Sequence, residues 1–247
     1  MLMIFFFAFI YELVDSSLGQ GYGTLGTPTF VLLGFNPKVV VPAILLSQAT
    51  GGLVGAYFHN RFRNVDFNGW GTGDAKKVYF IVACGITGVI MASAIGIRLS
   101  GTVLSYYIGI VVLVMGALIL SGVTIRFTWL RMGVIGGISA FNKGISGGGY
   151  GPVVAGGQTI IGVDAKAAVG VTDLAETPIC LAGFAVWKFL GGTPVVEVTL
   201  PMCVGASLAP VIGAYITFKT PPRLFKRVLG VVLLILGALC LFKILNP

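Results

Sequence analysis

The sequence predicts an all-α polytopic membrane protein made of two inverted-topology repeats, each a re-entrant broken helical hairpin plus three transmembrane helices. Three observations support this fold class. The composition is too apolar for a water-soluble globule, a glycine motif occurs twice inside apolar runs, and the basic loops of the two halves alternate in opposite order.

The composition indicates that lipid covers most of the surface. Of 247 residues, 56% are hydrophobic and only 10% are charged, and the mean hydropathy is +0.99. Soluble domains average about 25% charged residues. The net charge of +8 does not indicate a nucleic-acid partner, because most Lys and Arg residues lie between the apolar runs, where they set membrane topology.

Several apolar runs are long enough to cross a bilayer, which takes about 20 residues. The clearest runs are Val39–Phe58, Val78–Ile97, Val103–Ile125, Ala165–Trp187, Val198–Phe218 and Val228–Leu245. A shorter run, Leu2–Val14, lacks the basic start and the cleavage site of a signal peptide, so we assign it to the mature fold.

The cysteines do not indicate a metal site or a cofactor. All four lie within apolar runs at no metal-ligand spacing, and we interpret them as small buried side chains: Cys84, Cys180, Cys203 and Cys240. We therefore expect no cofactor and no bound metal.

The motif Gly-x-Gly-Tyr-Gly occurs at Gly19–Gly23 and again at Gly147–Gly151. When Asp15–Arg61 is laid over Lys143–Phe189 without a gap, ten of 47 positions are identical, and the glycine motif is among them. This register predicts a tandem duplication. We place the first repeat at 1–122, a cytoplasmic connector at 123–131 and the second repeat at 132–247.

The basic residues predict that the two halves are oppositely oriented. The loop His59–Lys77 has four Lys or Arg residues, whereas its counterpart Lys188–Val195 has one. The next pair reverses, with Arg98 alone in half one against four in half two: Lys219, Arg223, Lys226 and Arg227. Because Lys and Arg mark cytoplasmic loops, corresponding loops should lie on opposite sides of the membrane.

The same counting predicts two re-entrant hairpins. The central connection, with Arg126 and Arg131, should be cytoplasmic, so Met132–Asp164 must enter the membrane and return to the same side. By symmetry Leu2–Asn36 does so from the other face, and both termini lie outside. We expect a multi-pass protein of the inner (plasma) membrane.

The glycine-rich breaks predict an anion site. Irregular backbone at membrane depth is tolerated only when it is buried in protein or lines a polar cavity. Two breaks, one from each inverted half, should meet near the midplane, where secondary transporters hold their substrates. The apolar segments Thr24–Leu33 and Pro152–Ile161 follow the breaks, and Pro152 suits a first helical turn. Helices starting there direct unpaired N–H groups and positive dipole ends at the break.

The candidate substrate-binding residues are the two motifs, one polar residue and one cation: Gly19, Gln20, Gly21, Tyr22, Gly23, Gln48, Lys143, Gly147, Gly148, Gly149, Tyr150 and Gly151. The alternative is that the glycines only allow close helix packing. Tyr22 and Tyr150 either donate hydroxyl groups to the substrate or pack at the break.

Ionisable residues inside apolar runs are costly and indicate function. Lys143 can supply positive charge to the anion, and four carboxyl groups are candidates for a coupled proton: Glu12, Asp15, Asp173 and Glu176. Asp15 aligns with Lys143, so the two could instead pair structurally. Glu12 could lie at the membrane interface.

Three further basic residues have simpler interpretations. His59 lies in a basic loop of the predicted topology, and we interpret it as an interfacial residue rather than a proton relay. Lys38 and Lys166 match across the repeat, and extension of their side chains to the membrane surface explains them.

The chain resembles the sulfite exporter TauE/SafE family of bacterial and archaeal permeases. The resemblance rests on the break SSLGQGYGTLGTPTFVLLG, the following Asn-Pro-Lys, and the pattern His-x-Arg-x-x-Asn-Val-Asp that begins at His59. It implies secondary transport of small sulfur-containing anions, such as sulfite or sulfoacetate, by proton-coupled export. Family members usually have Gly-Gly-Gly in the first half, where this chain has Gly19-Gln20-Gly21. Gln20 adds a side-chain donor there and leaves the anion's identity open.

Three rival functions differ in what they require. A passive anion channel needs the same electropositive break but no titrating carboxylate. An intramembrane enzyme needs a nucleophile and a base, which the sequence does not present, so we expect no enzymatic activity. A membrane scaffold would tolerate Gly21→Val and Gly149→Val. A homodimer is compatible with the sequence, but no feature requires one.

Overall fold

In a computed structural model, the described residues, 1–121, 128–191, 195–219 and 223–245, form helices joined by short connections. The helices of the first half are α1 (Leu2–Leu18), α2 (Tyr22–Leu32), α3 (Pro37–Arg61), α4 (Gly73–Arg98) and α5 (Gly101–Ser121). Those of the second half are α6 (Trp129–Ser146), α7 (Tyr150–Ile160), α8 (Ala165–Leu190), α9 (Val196–Leu208), α10 (Pro210–Lys219) and α11 (Arg223–Leu245).

The helices are long and apolar enough for a multi-pass membrane protein. Within the described ranges, five candidate spans meet this standard: Pro37–Arg61, Gly73–Arg98, Gly101–Leu118, Ala165–Leu190 and Val196–Lys219. Val231–Lys243 is a shorter apolar helix by the same measure. Large apolar side chains are exposed on the outer faces, Met91, Ile110 and Val204 among them, as expected where lipid is the solvent.

Two predicted spans differ in detail from the structure. Val198–Phe218 is not one uninterrupted helix, because α9 ends at Leu208 and α10 begins at Pro210. Proline has no N–H to donate to the preceding turn, so the backbone ladder is interrupted there. The end of the predicted run Val103–Ile125 lies outside the described residues, since α5 is described to Ser121.

Each glycine motif separates a longer helix from a short one that turns back along it. Gly19 ends α1 and Gly147 ends α6, both in the left-handed conformation, with φ of 67° and 71°. The Tyr11 hydroxyl on α1 donates to Thr29 Oγ1 on α2 at 3.0 Å. α2 and α7 have 11 residues each, about 16 Å at 1.5 Å per residue, which is too short to cross a bilayer.

Side-chain caps fix the starts of the two helices that follow the hairpins. Asn36 accepts from the Lys38 N–H at 2.9 Å at the start of α3. Asp164 accepts from the Lys166 and Ala167 N–H groups at 3.0 and 3.1 Å at the start of α8. Asn36 and Asp164 are matching positions in the sequence alignment, so the same cap begins the same helix in both halves.

The two halves are packed into one another. α1 contacts α9 and α10 of the second half, and α6 contacts α4 of the first. α3 packs against α8, and α5 packs against α11. The predicted site residues therefore lie where the two halves meet.

Several residues used in the topology prediction lie outside the described part of the chain. These are Arg126 and most of the connector, residues 122–127, together with residues 192–194 and 220–222. The side chains of Arg223, Lys226 and Arg227 are likewise outside it. The predicted repeat boundaries and the charge count at these positions therefore stay predictions.

Candidate functional site

The two helix breaks cross in direct backbone contact. A Cβ atom on Gly23 would overlap the Gly147 carbonyl oxygen, and one on Gly151 would overlap that of Gly19. The two breaks therefore contact through glycine on both sides, and the smallest side chain would separate them. This explains why glycine is needed at these positions in both motifs.

A small polar cavity lies at the crossing. It has an empty volume of about 130 Å³ and is too narrow to admit a water molecule. Its lining combines glycine backbone with a few polar side chains: Asp15, Gly21, Gly23, Thr24, Gln48, Lys143, Gly148, Gly149, Tyr150, Gly151 and Glu176. Any substrate that reaches these groups requires the walls to move apart.

The side chain of Asp15, a residue of α1, lies at the N-terminus of α2. Its Oδ1 accepts a hydrogen bond from the Tyr22 N–H at 3.2 Å, and its Oδ2 accepts one from Gln48 Nε2 at 2.7 Å. A carboxylate is favourable at a helix N-terminus, where the dipole is positive. The chain thus places its own negative group at this end of the cavity.

Lys143 provides the cavity's positive charge and is 1% exposed. Its Nζ lies 2.7 Å from Glu176 Oε1 and also donates to Gln48 Oε1. The ion pair of Lys143 is therefore with Glu176 and not with Asp15. Gln48 connects Asp15 with Lys143, since its amide N–H donates to Asp15 and its carbonyl oxygen accepts from Lys143.

The N-terminus of α7 has no carboxylate of the kind that α2 has. Gly149 is its N-cap residue, with φ of 75°, and provides no side-chain cap. The Gly149 N–H donates to Thr24 Oγ1 of the other half at 3.1 Å. The position that matches Asp15 in this half is Lys143, so a cation replaces the carboxylate.

The two motif tyrosines have different surroundings. The Tyr22 hydroxyl donates to Ser47 Oγ at 2.7 Å. Tyr150 is equally buried, and within the described residues its hydroxyl oxygen has no hydrogen-bond partner. The position matching Ser47 in the second half is Ala175, which has no hydroxyl to offer.

Comparison with known proteins identifies the family. A model of the family described as sulfite exporter TauE/SafE matches residues 4–239. The chain belongs to this TauE/SafE family. It is also 26% identical to the "Probable membrane transporter protein YtnM" of Bacillus subtilis (strain 168), over 94% of this chain and 80% of that protein. No solved structure matches the chain. The match confirms the resemblance noted from the sequence and supports a membrane transporter.

Glu12 and Asp173 of this TauE/SafE protein contact α3 and lie outside the cavity lining, as do four predicted substrate-binding residues: Gly19, Gln20, Tyr22 and Gly147. Glu12 is 1% exposed, so it is buried between helices, and the alternative of an exposed interfacial position does not hold. A Cβ atom on Gly51 would lie 2.7 Å from its carboxyl carbon. Asp173 is also buried, and its Oδ2 has no hydrogen-bond partner within the described residues.

His59 of the TauE/SafE protein is not a loop residue. It lies in the last turn of α3 and is fully buried. Its Nε2 is 2.8 Å from the Ser16 carbonyl oxygen and 3.5 Å from Asp173 Oδ2. The loop placement was wrong because α3 continues one turn beyond the predicted span Val39–Phe58 and directs the imidazole inward.

Some functional contacts of this TauE/SafE chain were not anticipated. Thr24 and Ser47 bond the backbone or a tyrosine at the breaks, and no motif marked them. Gly51, Gly52 and Gly55 make room for Glu12 and Asp173 on the neighbouring helices. The signal was available in the small-residue stretch ATGGLVGA, which has more glycine than a simple span needs.

Proposed function

We propose that this protein is a secondary transporter of small sulfur-containing anions, such as sulfite or an organosulfonate like sulfoacetate. The anion would bind at the crossing of the two breaks, in an inner-membrane protein with export as its working direction. Family membership and the buried Lys143 beside the start of α7 support this function. The remaining cavity residues are proposed to contact the anion through backbone N–H groups and short polar side chains.

The buried lysine is the observation on which the proposal mainly rests. Of the two helix N-termini at the crossing, that of α2 already receives the Asp15 carboxylate. The N-terminus of α7 has Lys143 in place of that carboxylate, so positive charge and a positive dipole end coincide there. The unpartnered Tyr150 hydroxyl adds a donor for a sulfonate oxygen.

Coupling to protons follows from the pairing of Lys143 with Glu176. An anion that binds Lys143 displaces the Glu176 carboxylate from its ion pair. A buried carboxylate without a partner is much more costly than a neutral carboxyl group. We therefore propose that Glu176 takes up a proton as the anion binds, so that anion and proton move together. Export then proceeds when the outward gradient of the anion exceeds the opposing proton gradient.

An inverted repeat would give this site access to both faces in turn. The reciprocal packing of α1 on α9–α10 and of α6 on α4 supports a two-fold relation between the halves. Matching hydrogen bonds support it too. His59 contacts the Ser16 carbonyl oxygen at 2.8 Å, and Trp187 donates to that of Gly144 at 2.9 Å, each pair of positions being 128 apart.

The test is transport by purified protein in proteoliposomes. We expect uptake of sulfite or sulfoacetate but not of chloride, and faster uptake when the anion and the higher proton concentration are on the same side. Failure to move any of these anions would contradict the proposed function. Downhill flux that ignores the pH gradient would indicate a passive anion channel or uniporter, and Glu176 would then be structural.

A further inference from the structure

A second buried pair lies between the anion cavity and the C-terminal end of α3. His59 Nε2 is 3.5 Å from Asp173 Oδ2, and both residues are buried. On α8, Asp173 lies three residues before Glu176, so the two carboxyl groups project from one helix face. Asp173 therefore lies between the imidazole at the end of α3 and the carboxyl group at the cavity.

Glycines on α3 allow Asp173 of α8 to lie directly against that helix. A Cβ atom on Gly52 would lie 2.7 Å from the Asp173 carbonyl oxygen, and one on Gly55 would overlap its Oδ2. Gln48, Gly52, Gly55 and His59 recur at helical spacing and share one face of α3. This face begins at the cavity with Gln48 and ends with the imidazole of His59.

The hydrogen bonds of His59 indicate which of its ring nitrogens is protonated. Asn64 Nδ2 lies 2.9 Å from the Ala214 carbonyl oxygen and 3.0 Å from His59 Nδ1. Because that amide group donates to both, Nδ1 accepts and Nε2 has the proton. The Nε2–H therefore faces the Ser16 carbonyl oxygen and the unpartnered Asp173 Oδ2. Rotation of the Asn64 amide would break its hydrogen bond to the Ala214 carbonyl oxygen, present the unpartnered Oδ1 to Nδ1 and allow a second proton to bind there.

The positions that match His59 and Asp173 keep the hydrogen bond but have no titratable pair. Position 187, which matches His59, is a tryptophan whose Nε1 donates to the Gly144 carbonyl oxygen. Position 45, which matches Asp173, is a leucine. The hydrogen bond is thus kept at both matching places, while the titratable pair is present at only one of them.

We propose that His59 and Asp173 form a one-sided proton relay that connects the membrane face at the end of α3 with Glu176. The proposal rests on the proposed proton-coupled transport. A proton binds Nδ1 of His59, the Nε2 proton passes to Asp173, and from there it reaches Glu176 when the anion takes over Lys143. Other titratable or polar groups near this route are Glu12 and Asp15 on α1, Lys143 on α6 and Thr217 on α10.

The first test compares two fluxes in His59→Gln. Glutamine keeps an N–H donor for the Ser16 carbonyl oxygen but does not titrate. We expect pH-gradient-driven accumulation of sulfoacetate to fall about tenfold or more, as for the loss of a proton-transfer group. Exchange of labelled for unlabelled sulfoacetate at equal pH should continue, because exchange needs no net proton movement. Asp173→Asn should behave in the same way.

Trp187→Phe is the matched control, since it removes the corresponding hydrogen bond in the other half without changing a titratable group. It should leave the ratio of accumulation to exchange unchanged. An equal loss of both fluxes in His59→Gln would make the residue structural and overturn the relay, and so would full retention of both. If that variant is not assembled, Asp173→Asn decides by the same ratio. Absence of exchange in the unmodified protein would instead contradict the proposed function.

A spectroscopic test does not depend on transport. His59 is the chain's single histidine, so a sample labelled with ¹⁵N-histidine gives one imidazole signal set. Solid-state NMR in bilayers should show the Nε2–H tautomer at neutral pH, and Asn64→Asp should change it. Finding the Nδ1–H tautomer in the unmodified protein would contradict the proposed route.

Discussion

Asp15 and Lys143 occupy matching positions of the two sequence halves and have opposite charges. At the first position the chain supplies its own carboxylate to a helix N-terminus, and at the second it supplies a cation beside one. This pair of residues is one of the charge differences between the two matching segments at the crossing. The proposed anion site follows from that difference.

Replacing Lys143 should remove anion binding. In Lys143→Met the anion loses a charge-assisted hydrogen bond, which contributes about 1.5–3 kcal/mol, or roughly 10- to 150-fold in affinity. Equilibrium binding of labelled sulfoacetate to the purified protein measures this. Lys166→Met is the matched control, because Lys166 bonds the Phe218 carbonyl oxygen at the end of α10 and should leave binding unchanged.

Loss of Lys143 also leaves Glu176 without its partner, and breaking a buried ion pair costs about 3–5 kcal/mol. The double variant Lys143→Met, Glu176→Gln avoids that cost because neither group is charged. It should fold better than the single variant and still fail to bind. Binding by the double variant at the unmodified level would contradict the role given to Lys143.

Glu176→Gln should keep anion binding but abolish the proton uptake that accompanies it. Lys143 then has no competing carboxylate, so we expect anion exchange to continue and to lose its pH dependence. With one proton entering per anion, as proposed, affinity of the unmodified protein should fall about tenfold per pH unit as the pH rises. Exchange rates between pH 5.5 and 8.5 test this, and a variant that keeps the unmodified pH profile would exclude Glu176 as the coupled group.

At the residue scale, composition and spacing predicted the buried ions but not their partners. Glu12, Asp15, Lys143, Asp173 and Glu176 were recognised because charge is rare inside apolar runs. Which of them pair depends on how α3 and α8 pack, and a single sequence does not contain that information. His59 was misplaced for the same reason, since its burial depends on packing against α1 and α8.

At the element scale, the two glycine breaks are the determining feature. The sequence predicted their positions because glycine at this density ends helices. α2 and α7 begin within the motifs, at Tyr22 and Tyr150, two residues before the predicted segments Thr24–Leu33 and Pro152–Ile161. The interruption between α9 and α10 was missed because hydropathy continues across Ala209 and Pro210 while the backbone ladder does not.

Alanine at a break should abolish transport, while alanine elsewhere on the same short helix should not. In Gly149→Ala the residue must hold a φ of 75°, and its Cβ atom lies 2.9 Å from Val111. A left-handed conformation alone costs a residue other than glycine about 1–2 kcal/mol. Gly156→Ala is the control, since no atom lies within 4 Å of its Cβ position.

Both variants are compared by sulfoacetate flux per molecule of folded protein in proteoliposomes. The breaks serve only as packing surfaces if Gly149→Ala and also the larger changes Gly21→Val and Gly149→Val leave transport intact. That result would contradict the proposed anion site at the breaks. Equal losses in Gly149→Ala and Gly156→Ala would also contradict a special role for the break.

At the scale of the whole molecule, interlocking of the halves accounts for the buried position of the site. α3 and α8 contribute Gln48 and Glu176 from the two halves, and these residues lie at matching positions. The duplication stays a prediction from the sequence, in which the glycine motif recurs in an ungapped register. The relative orientation of the halves was predicted from the charges of their loops, and some of these loop residues lie outside the described part of the chain.

Cysteine labelling tests the inverted orientation. On a background without the four native cysteines, Gly69→Cys reports the α3–α4 connection, and Lys188→Cys reports the end of α8; both positions are exposed. These positions follow corresponding spans, so inverted halves should place them on opposite sides. Labelling of both by a membrane-impermeant reagent from one side would contradict the inverted repeat.

The most direct measurement is the number of protons bound with each anion. Purified protein in weakly buffered solution is mixed with sulfoacetate, and the pH change is compared with the amount of anion bound. We predict uptake of about one proton per anion by the unmodified protein and none by Glu176→Gln, because the anion replaces that carboxylate at Lys143. Anion binding without proton uptake, or with proton release, would contradict the exchange of partners at Lys143.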